Sequence, residues 1–287
     1  MSSLAKTKRR INSIKGTEKI TKAMELVATV KTKRFSVMHE KGFEYSQEFL
    51  SLFSQVFAFD KSKEVSHYAK LNEGDLPILY LVISSNMGLC GAYNNNVFKF
   101  AETNMNSNDI VAPIGSKAFN RYSRDAKFEG RVIDDFVGIS TDSKMEEIHA
   151  LTSKIKEDFN NKKYKAIRII YTRYINTITF EPTVFQILPV QIPRIKWTDE
   201  EFAPPLFDEE PRKMIHTLMP SYLTGTIHEI ILNSNLSEQA SRRTAMDNAN
   251  DNADELLGKL TIEYNKARQT SITQQITEVA SGANASK

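Results

Sequence analysis

The chain has 287 residues, 40% of them apolar and 25% charged, with a formal net charge of +3 and a mean hydropathy of −0.39. That length supports one or two domains with a sizeable core, and the small net charge gives no global pull toward nucleic acid or an anionic membrane surface. The single cysteine, Cys90, excludes an intrachain disulfide and a multi-cysteine metal site and fits a reducing compartment, and the longest uninterrupted apolar run, Ile78 to Ile83, is too short to span a bilayer.

The first segment, residues 1–58, reads as a long helix. It carries ten Lys or Arg against two Glu up to Arg34, a local net charge of +8. Ile11, Ile14, Ile20, Met24, Val27 and Val30 are spaced roughly for one face, followed by Phe49, Leu50, Phe53, Val56 and Phe57. Gly16 and Gly42 are expected to loosen it locally. The basic residues suit either a phosphate backbone or a protein partner with acidic loops, and the near-absence of aromatics up to Arg34 favours the latter. Residues 1–17 are basic and acid-free, as in a transit peptide, but lack the apolar centre of a secretory signal.

All nine prolines lie between Pro77 and Pro220, so a proline-bearing middle separates two proline-free ends. Within residues 75–190 the pattern is that of an open α/β sheet. A buried strand is predicted over Leu76–Ser85, a loop over Asn86–Gly91, a helix over Ala92–Met105 and a strand over Asp109–Ile114. A short helix at Lys117–Arg124 and a strand near Arg131–Val137 come next. A helix over Lys144–Asn160 then has Met145, Ile148, Leu151 and Ile155 on one face and a capping box of Ser143 and Glu146. Lys165–Tyr174 and Thr179–Val190 pair as a hairpin around Asn176 and Thr177. Residues 191–211, acidic and proline-rich, read as a linker.

The last segment, 212–287, is the element that demands a partner. Met246, Ala249, Ala253, Leu256, Leu260, Tyr264 and Ala267 recur at spacings of three and four, a narrow coiled-coil seam. One helix from Thr226 to Ser281 would be roughly 80 Å long, and so thin a stripe cannot stabilise it alone. The N-terminal helix is the available partner, in an antiparallel pair that brings both termini to one tip.

The remaining motifs admit two readings each. Gly88-Leu89-Cys90-Gly91 sits where backbone amides can cradle an anion, but it matches neither the dinucleotide fingerprint nor the P-loop, and a tight strand-to-helix turn that only glycine can make is the favoured reading. Cys90 is a nucleophile or an idle buried thiol; the five histidines, His39, His67, His149, His216 and His228, are scattered away from it. Asp247, Asp251, Asp254 and Glu255 are a metal cluster or the solvent face of a coil.

Four blocks, Thr17–Ala28 (TEKITKAMELVA), Gly88–Asn94 (GLCGAYN), Thr244–Ala249 (TAMDNA) and Tyr264–Glu278 (YNKARQTSITQQITE), together resemble the gamma subunit of F-type ATP synthases, in the family's order and over essentially the whole chain. The resemblance implies a central rotor shaft in which the terminal helices form an antiparallel coiled coil and the middle is Rossmann-like. It implies no catalytic residue, cofactor or metal on the chain itself. Expected partners are alpha and beta subunits, with one such chain per three of each, an epsilon subunit and a membrane c-ring, but no nucleic acid. Beta-subunit contact is implied for Lys19, Lys22, Met24, Glu25, Arg268, Gln269 and Thr273, with Glu238 and Arg242 coupled to it. Ile276, Val279 and Ala280 match a bearing tip, and Phe207 and Asp208 a foot toward the ring.

Departures from the family pattern are Phe207 in place of its frequent tyrosine, Asn86-Met87 in place of Asp-Arg, and Thr29 and Val30 in place of small residues. The start at Met1 near the family's own beginning favours the cytoplasmic face of a bacterial membrane. Two other functions stay open: a gamma paralogue in a motor without a membrane ring, and a nucleotide- or anion-binding enzyme built on the middle domain.

Overall fold

The computed structural model describes residues 3–59, 65–139, 143, 145–191 and 209–285. Helix α1 runs Ser3–Phe59 and helix α5 runs Pro211–Ala285, 57 and 75 residues long. Between them come β1 (Leu79–Ile83), α2 (Tyr93–Asn104), β2 (Ile110–Ile114), α3 (Ser116–Tyr122), α4 (Met145–Asn160), β3 (Ile167–Tyr174) and β4 (Phe180–Leu188). Contacts divide the chain into two compact units, one of residues 30–241 and one in which residues 1–29 join 242–287.

The larger unit is built on a four-stranded sheet of order β2-β1-β3-β4, with β1 parallel to β2 and β3 and β4 antiparallel to β3. Alternation along β1 sends Leu79, Leu81 and Ile83 to one face and Tyr80 and Val82 to the other. The second face packs α2 and α3 through Val97, Ala101, Ala118 and Tyr122. The first packs α4 through Ile148, Leu151, Ile155 and Phe159, together with Phe53 and Val56 of α1 and Ile215, Met219, Tyr222 and Leu223 of α5. This gives an α/β sheet between two helical layers.

Within this unit α1 and α5 are antiparallel: Phe53 stacks on Tyr222 at 4.7 Å with ring planes 5° apart, while the earlier Phe35 packs with the later Leu232 and Leu236. Stacked rings of this kind add about 0.5–1.5 kcal/mol beyond their burial. From Ile230 to Arg242 nearly every position of α5 is buried, including polar residues with fixed partners. Asn233 accepts from the Tyr174 amide at 2.7 Å, the Ser237 hydroxyl donates to the Thr172 carbonyl at 3.1 Å, and the Ser241 hydroxyl donates to the Cys90 carbonyl at 2.7 Å.

The hairpin of β3 and β4 closes as its residues suggest, with Asn176 Oδ1 accepting from the amides of Ile178 and Thr179 at 2.9 and 2.7 Å. Elsewhere the structure departs from the sequence reading. The strand expected near Arg131–Val137 is a single parallel bridge of Val132 to Val111. Met145, expected on the inner face of α4, is exposed in its first turn, and Thr152 and Phe159 are buried instead. Helix α5 begins well before Thr226, with Pro211 at its first position, where a missing amide costs nothing, and it continues through Pro220. A proline inside a helix costs about 3 kcal/mol; buried Ile215, Met219, Tyr222 and Leu223 around it offset this. Most of the expected linker lies outside the described residues.

Candidate interaction surface on the paired terminal helices

In the smaller unit the two helix ends pair along strict heptad seams. On α1 a buried or half-buried series runs through Leu4, Thr7, Ile11, Ile14, Glu18, Thr21, Glu25 and Ala28, alternating three and four residues apart, with half-buried Ala5, Met24 and Thr29 flanking it. On α5 the matching series is Met246, Asn250, Ala253, Leu257, Leu260, Tyr264, Ala267 and Ser271. Two corrections follow. Ile20 and Val27, expected inward, are 62% and 55% exposed, and Val30 in the larger unit is exposed too; their places belong to Thr21 and Ala28. Leu256 is exposed and Leu257 takes the seam, while Ala249 flanks Asn250. Counting apolar residues alone misassigned these positions because the seams also hold polar residues, Thr7, Glu18, Thr21 and Glu25 on α1 and Asn250 and Ser271 on α5. An unbroken alternation of three and four would have found them.

Asn250 sits at the centre of a polar layer. Its amide donates to Glu25 Oε2 at 2.7 Å, and the Thr21 hydroxyl donates to its Oδ1. The Glu18 carbonyl, one turn back and 3.0 Å from the Thr21 hydroxyl, is the alternative acceptor for that same proton. Burying these groups is tolerable because each has a partner.

The outer faces are where the candidate contact residues lie. Lys19 and Lys22 are exposed, and Lys22 pairs with Glu18 at 2.5 Å, which raises the lysine above its ordinary pKa. Met24 and Glu25 are half-buried. Arg268, Gln269 and Thr273 are exposed, as are Ile276, Val279 and Ala280; Ile276 and Val279 are 64% and 73% exposed. At 100° per residue Gln269, Thr273, Ile276 and Ala280 share the side of α5 roughly opposite the seam. From Ile272 to Ser281 every position is exposed, so this stretch has no cover among the described residues. Lys6, Lys8, Arg9, Arg10 and Lys15 of α1 are exposed as well, as are Asp247, Asp251, Asp254 and Glu255 of α5, where Glu255 pairs with Lys259. Glu238 and Arg242, in contrast, are each only 7% exposed. Phe207 and Asp208 lie outside the described residues.

The loop after β1 is a built turn. Leu89 and Gly91 have φ of 62° and 57°. Asn94 ties the loop from the following helix, accepting from the Ser85 amide at 3.0 Å and donating to Ser85 Oγ at 2.7 Å and to the buried Cys90 Sγ at 3.2 Å. Tyr93 and Ser234 hydroxyls meet at 2.8 Å, and with the bond from Ser241 to Cys90 they fasten the turn to α5. Among the described residues no group of His, Cys, Asp and Glu has the spacing to hold a metal ion, and no helix is long and apolar enough to cross a membrane.

Comparison with known proteins agrees with this architecture. The chain is 34% identical to the ATP synthase gamma chain of Mycoplasma mycoides subsp. mycoides and 36% identical to that of Mycoplasmopsis pulmonis, each alignment covering 99% of both chains. Among solved structures it is similar to a chain of the rotor of the Euglena gracilis mitochondrial ATP synthase, with a TM-score of 0.63 at 17% identity over 94% of this chain and 99% of that one. A chain from the central stalk and c-ring of the Tetrahymena thermophila mitochondrial ATP synthase gives 0.55 at 23% identity over 80% and 99%. The sequence model of the family described as ATP synthase matches residues 3–285, and with relatives at this identity over their whole length the chain belongs to the ATP synthase gamma chain family.

Proposed function

We propose that the chain is the central shaft of a rotary F-type ATP synthase, turned by ion flow through a membrane ring and acting on the catalytic beta subunits without making or breaking a bond itself. The observation that carries this reading is the uncovered surface of the paired terminal helices. Ile20, Val27, Ile276 and Val279 stand in water on a two-helix coil, a surface that a sleeve of other subunits would cover. The exposed cations of α1 suit acidic segments on that sleeve. Arg268 presents a guanidinium fork able to make paired, charge-assisted hydrogen bonds to a beta-subunit loop, with Gln269 and Thr273 on neighbouring turns. Beyond them, Ile276 to Ala280 carries one charge, Glu278, and such a tip turns inside its bearing with little to grip.

Coupling needs no chemistry on the shaft. Lys19 and Lys22 share one flank of α1 and Met24 lies on the other, with Glu25 between them at the seam, while Arg268, Gln269 and Thr273 lie at another level of the coil, so at a given rotation the beta subunits meet different side chains. Differential contact shifts the equilibrium between open and closed beta conformations, and nucleotide affinity shifts with it. Glu238 and Arg242, being buried, act by fixing the helix that carries the contacts. In this reading one shaft serves three alpha and three beta subunits, its foot at Phe207 and Asp208 meets the c-ring and epsilon subunit, and the complex lies on the cytoplasmic face of a bacterial cell membrane.

The test is reconstitution with the matching alpha and beta subunits, followed by gel filtration and ATPase assay. Entry of one chain per three pairs, with activity that depends on it, is the expected outcome; a chain that stays apart while activity is unchanged would refute the reading.

A further inference from the structure

The larger unit encloses a half-open cavity of about 310 Å³ between α1, α5 and the β3–β4 hairpin, at the small end of the range for ligand sites. Its walls are aromatic: Phe49 from α1, Tyr171 and Phe185 from the hairpin and Tyr222 from α5. The polar group on those walls that combines charge with shelter is Glu229. His39 Nδ1 lies 3.0 Å from its Oε1, and the Glu229 side chain keeps only 20% of its surface exposed. Burial and then the Glu229 carboxylate push the Tyr171 phenol up to about 12, as expected if the negative charge faces the aromatic wall. Arg173, the competing cation on the rim, is exposed and stands opposite Glu181 in the strand register, where an acid answers its charge.

Gly225 is a second, independent observation. It lines the cavity from the interior of α5, and a Cβ built there meets nothing within 4 Å. Glycine is a poor helix former and no close contact demands it here; its lack of a side chain leaves the space beside it in the cavity unfilled. We propose that this cavity binds a small aromatic organic cation, its ring system among Phe49, Tyr171, Phe185 and Tyr222 and its ammonium group on Glu229. Aromatic faces and a sheltered carboxylate both favour a cation over an acid of the same shape. The occupant would touch α1, α5 and the sheet at once, tying together elements far apart in sequence, and the site is independent of any contact on the terminal coil.

The experiment titrates the full-length chain with tryptamine by calorimetry, with indole-3-acetate as the probe that keeps the indole but reverses the charge. Tryptamine is expected to bind and to raise the melting temperature with concentration, and indole-3-acetate to bind at least about tenfold more weakly, as loss of a charge-assisted hydrogen bond predicts. Gly225→Leu should abolish tryptamine binding by filling the cavity, and Glu229→Gln should weaken it about tenfold. Absence of tryptamine binding, equal affinity for both probes, or unchanged affinity in a folded Gly225→Leu variant would overturn the proposal. Should circular dichroism find Gly225→Leu unfolded, unchanged affinity in Glu229→Gln overturns it alone.

Discussion

Asn250 and Glu25 are hydrogen-bonded at 2.7 Å across the paired terminal helices, with Thr21 completing the layer from the same helix as Glu25. Met246 and Ala253, one seam position to either side, offer no such partner, so a shift of register would bury these polar groups opposite apolar ones. A polar layer hydrogen-bonded across the seam in this way specifies alignment at some expense of stability.

Asn250→Ala removes both hydrogen bonds and leaves a half-buried carboxylate unanswered. The expected loss is about 1–3 kcal/mol, seen as a lower midpoint in thermal unfolding followed by helix signal. An unchanged midpoint would mean that water already satisfies the layer.

Gly115 has a φ of +94°, and a Cβ there would lie 2.3 Å from the Ser84 carbonyl oxygen. Both strain and collision oppose a side chain at the end of β2, where the Gly115 amide also donates to the Val137 carbonyl at 3.1 Å. Gly115→Ala should destabilise the larger unit by roughly 3 kcal/mol or more, measured by chemical denaturation. Gly225→Ala, with open space and an ordinary helical φ, should instead be neutral or stabilising by up to about 1 kcal/mol.

Stability should fall on both sides of neutral pH. Burial lowers the His228 pKa from its ordinary 6.5, the neighbouring Glu229 opposing this more weakly. The unfolded chain therefore takes up a proton before the folded one, and stability present above about pH 6.5 is lost as pH drops toward the lower folded value. On the alkaline side the sign reverses. Tyr171, pushed up to about 12 mainly by burial, stays neutral after its unfolded counterpart ionises near 10, so stability is lost as pH rises from about 10 to 12. Denaturant midpoints across pH test both arms, and His228→Gln should flatten the acid arm.

Arg268→Ala with Gln269→Ala changes two exposed residues and should leave unfolding midpoints within about 0.5 kcal/mol of the parent. In the reconstituted complex the same pair should weaken coupling and torque. Unchanged turnover and torque would remove these residues from the beta contact.

How much of this was legible in the sequence depends on whether a feature is local. The run Ile78–Ile83 announces β1, and Asn176 announces its turn, because apolar continuity and turn chemistry act within a few residues. The coil was visible as a period, yet Ile20 reads as inward because apolar character favours it over its polar neighbour Thr21, which holds the seam, and Leu256 because it is as apolar as its neighbour Leu257, which holds it. Pro220 suggested a boundary and lies inside α5, since tertiary burial around Met219 and Tyr222 outweighs a local penalty. His39 and Glu229 line one cavity from 190 positions apart, and no spacing rule joins residues so distant.

The central claim, that the chain turns inside its partners, is tested most directly by watching it turn. A bead fixed to an exposed, engineered cysteine at Lys117, in a Cys90→Ser background with the alpha and beta subunits immobilised, should rotate in one direction while ATP is hydrolysed and stop when ATP is exhausted. A complex that hydrolyses ATP at its full rate while the bead shows only undirected motion would contradict the account.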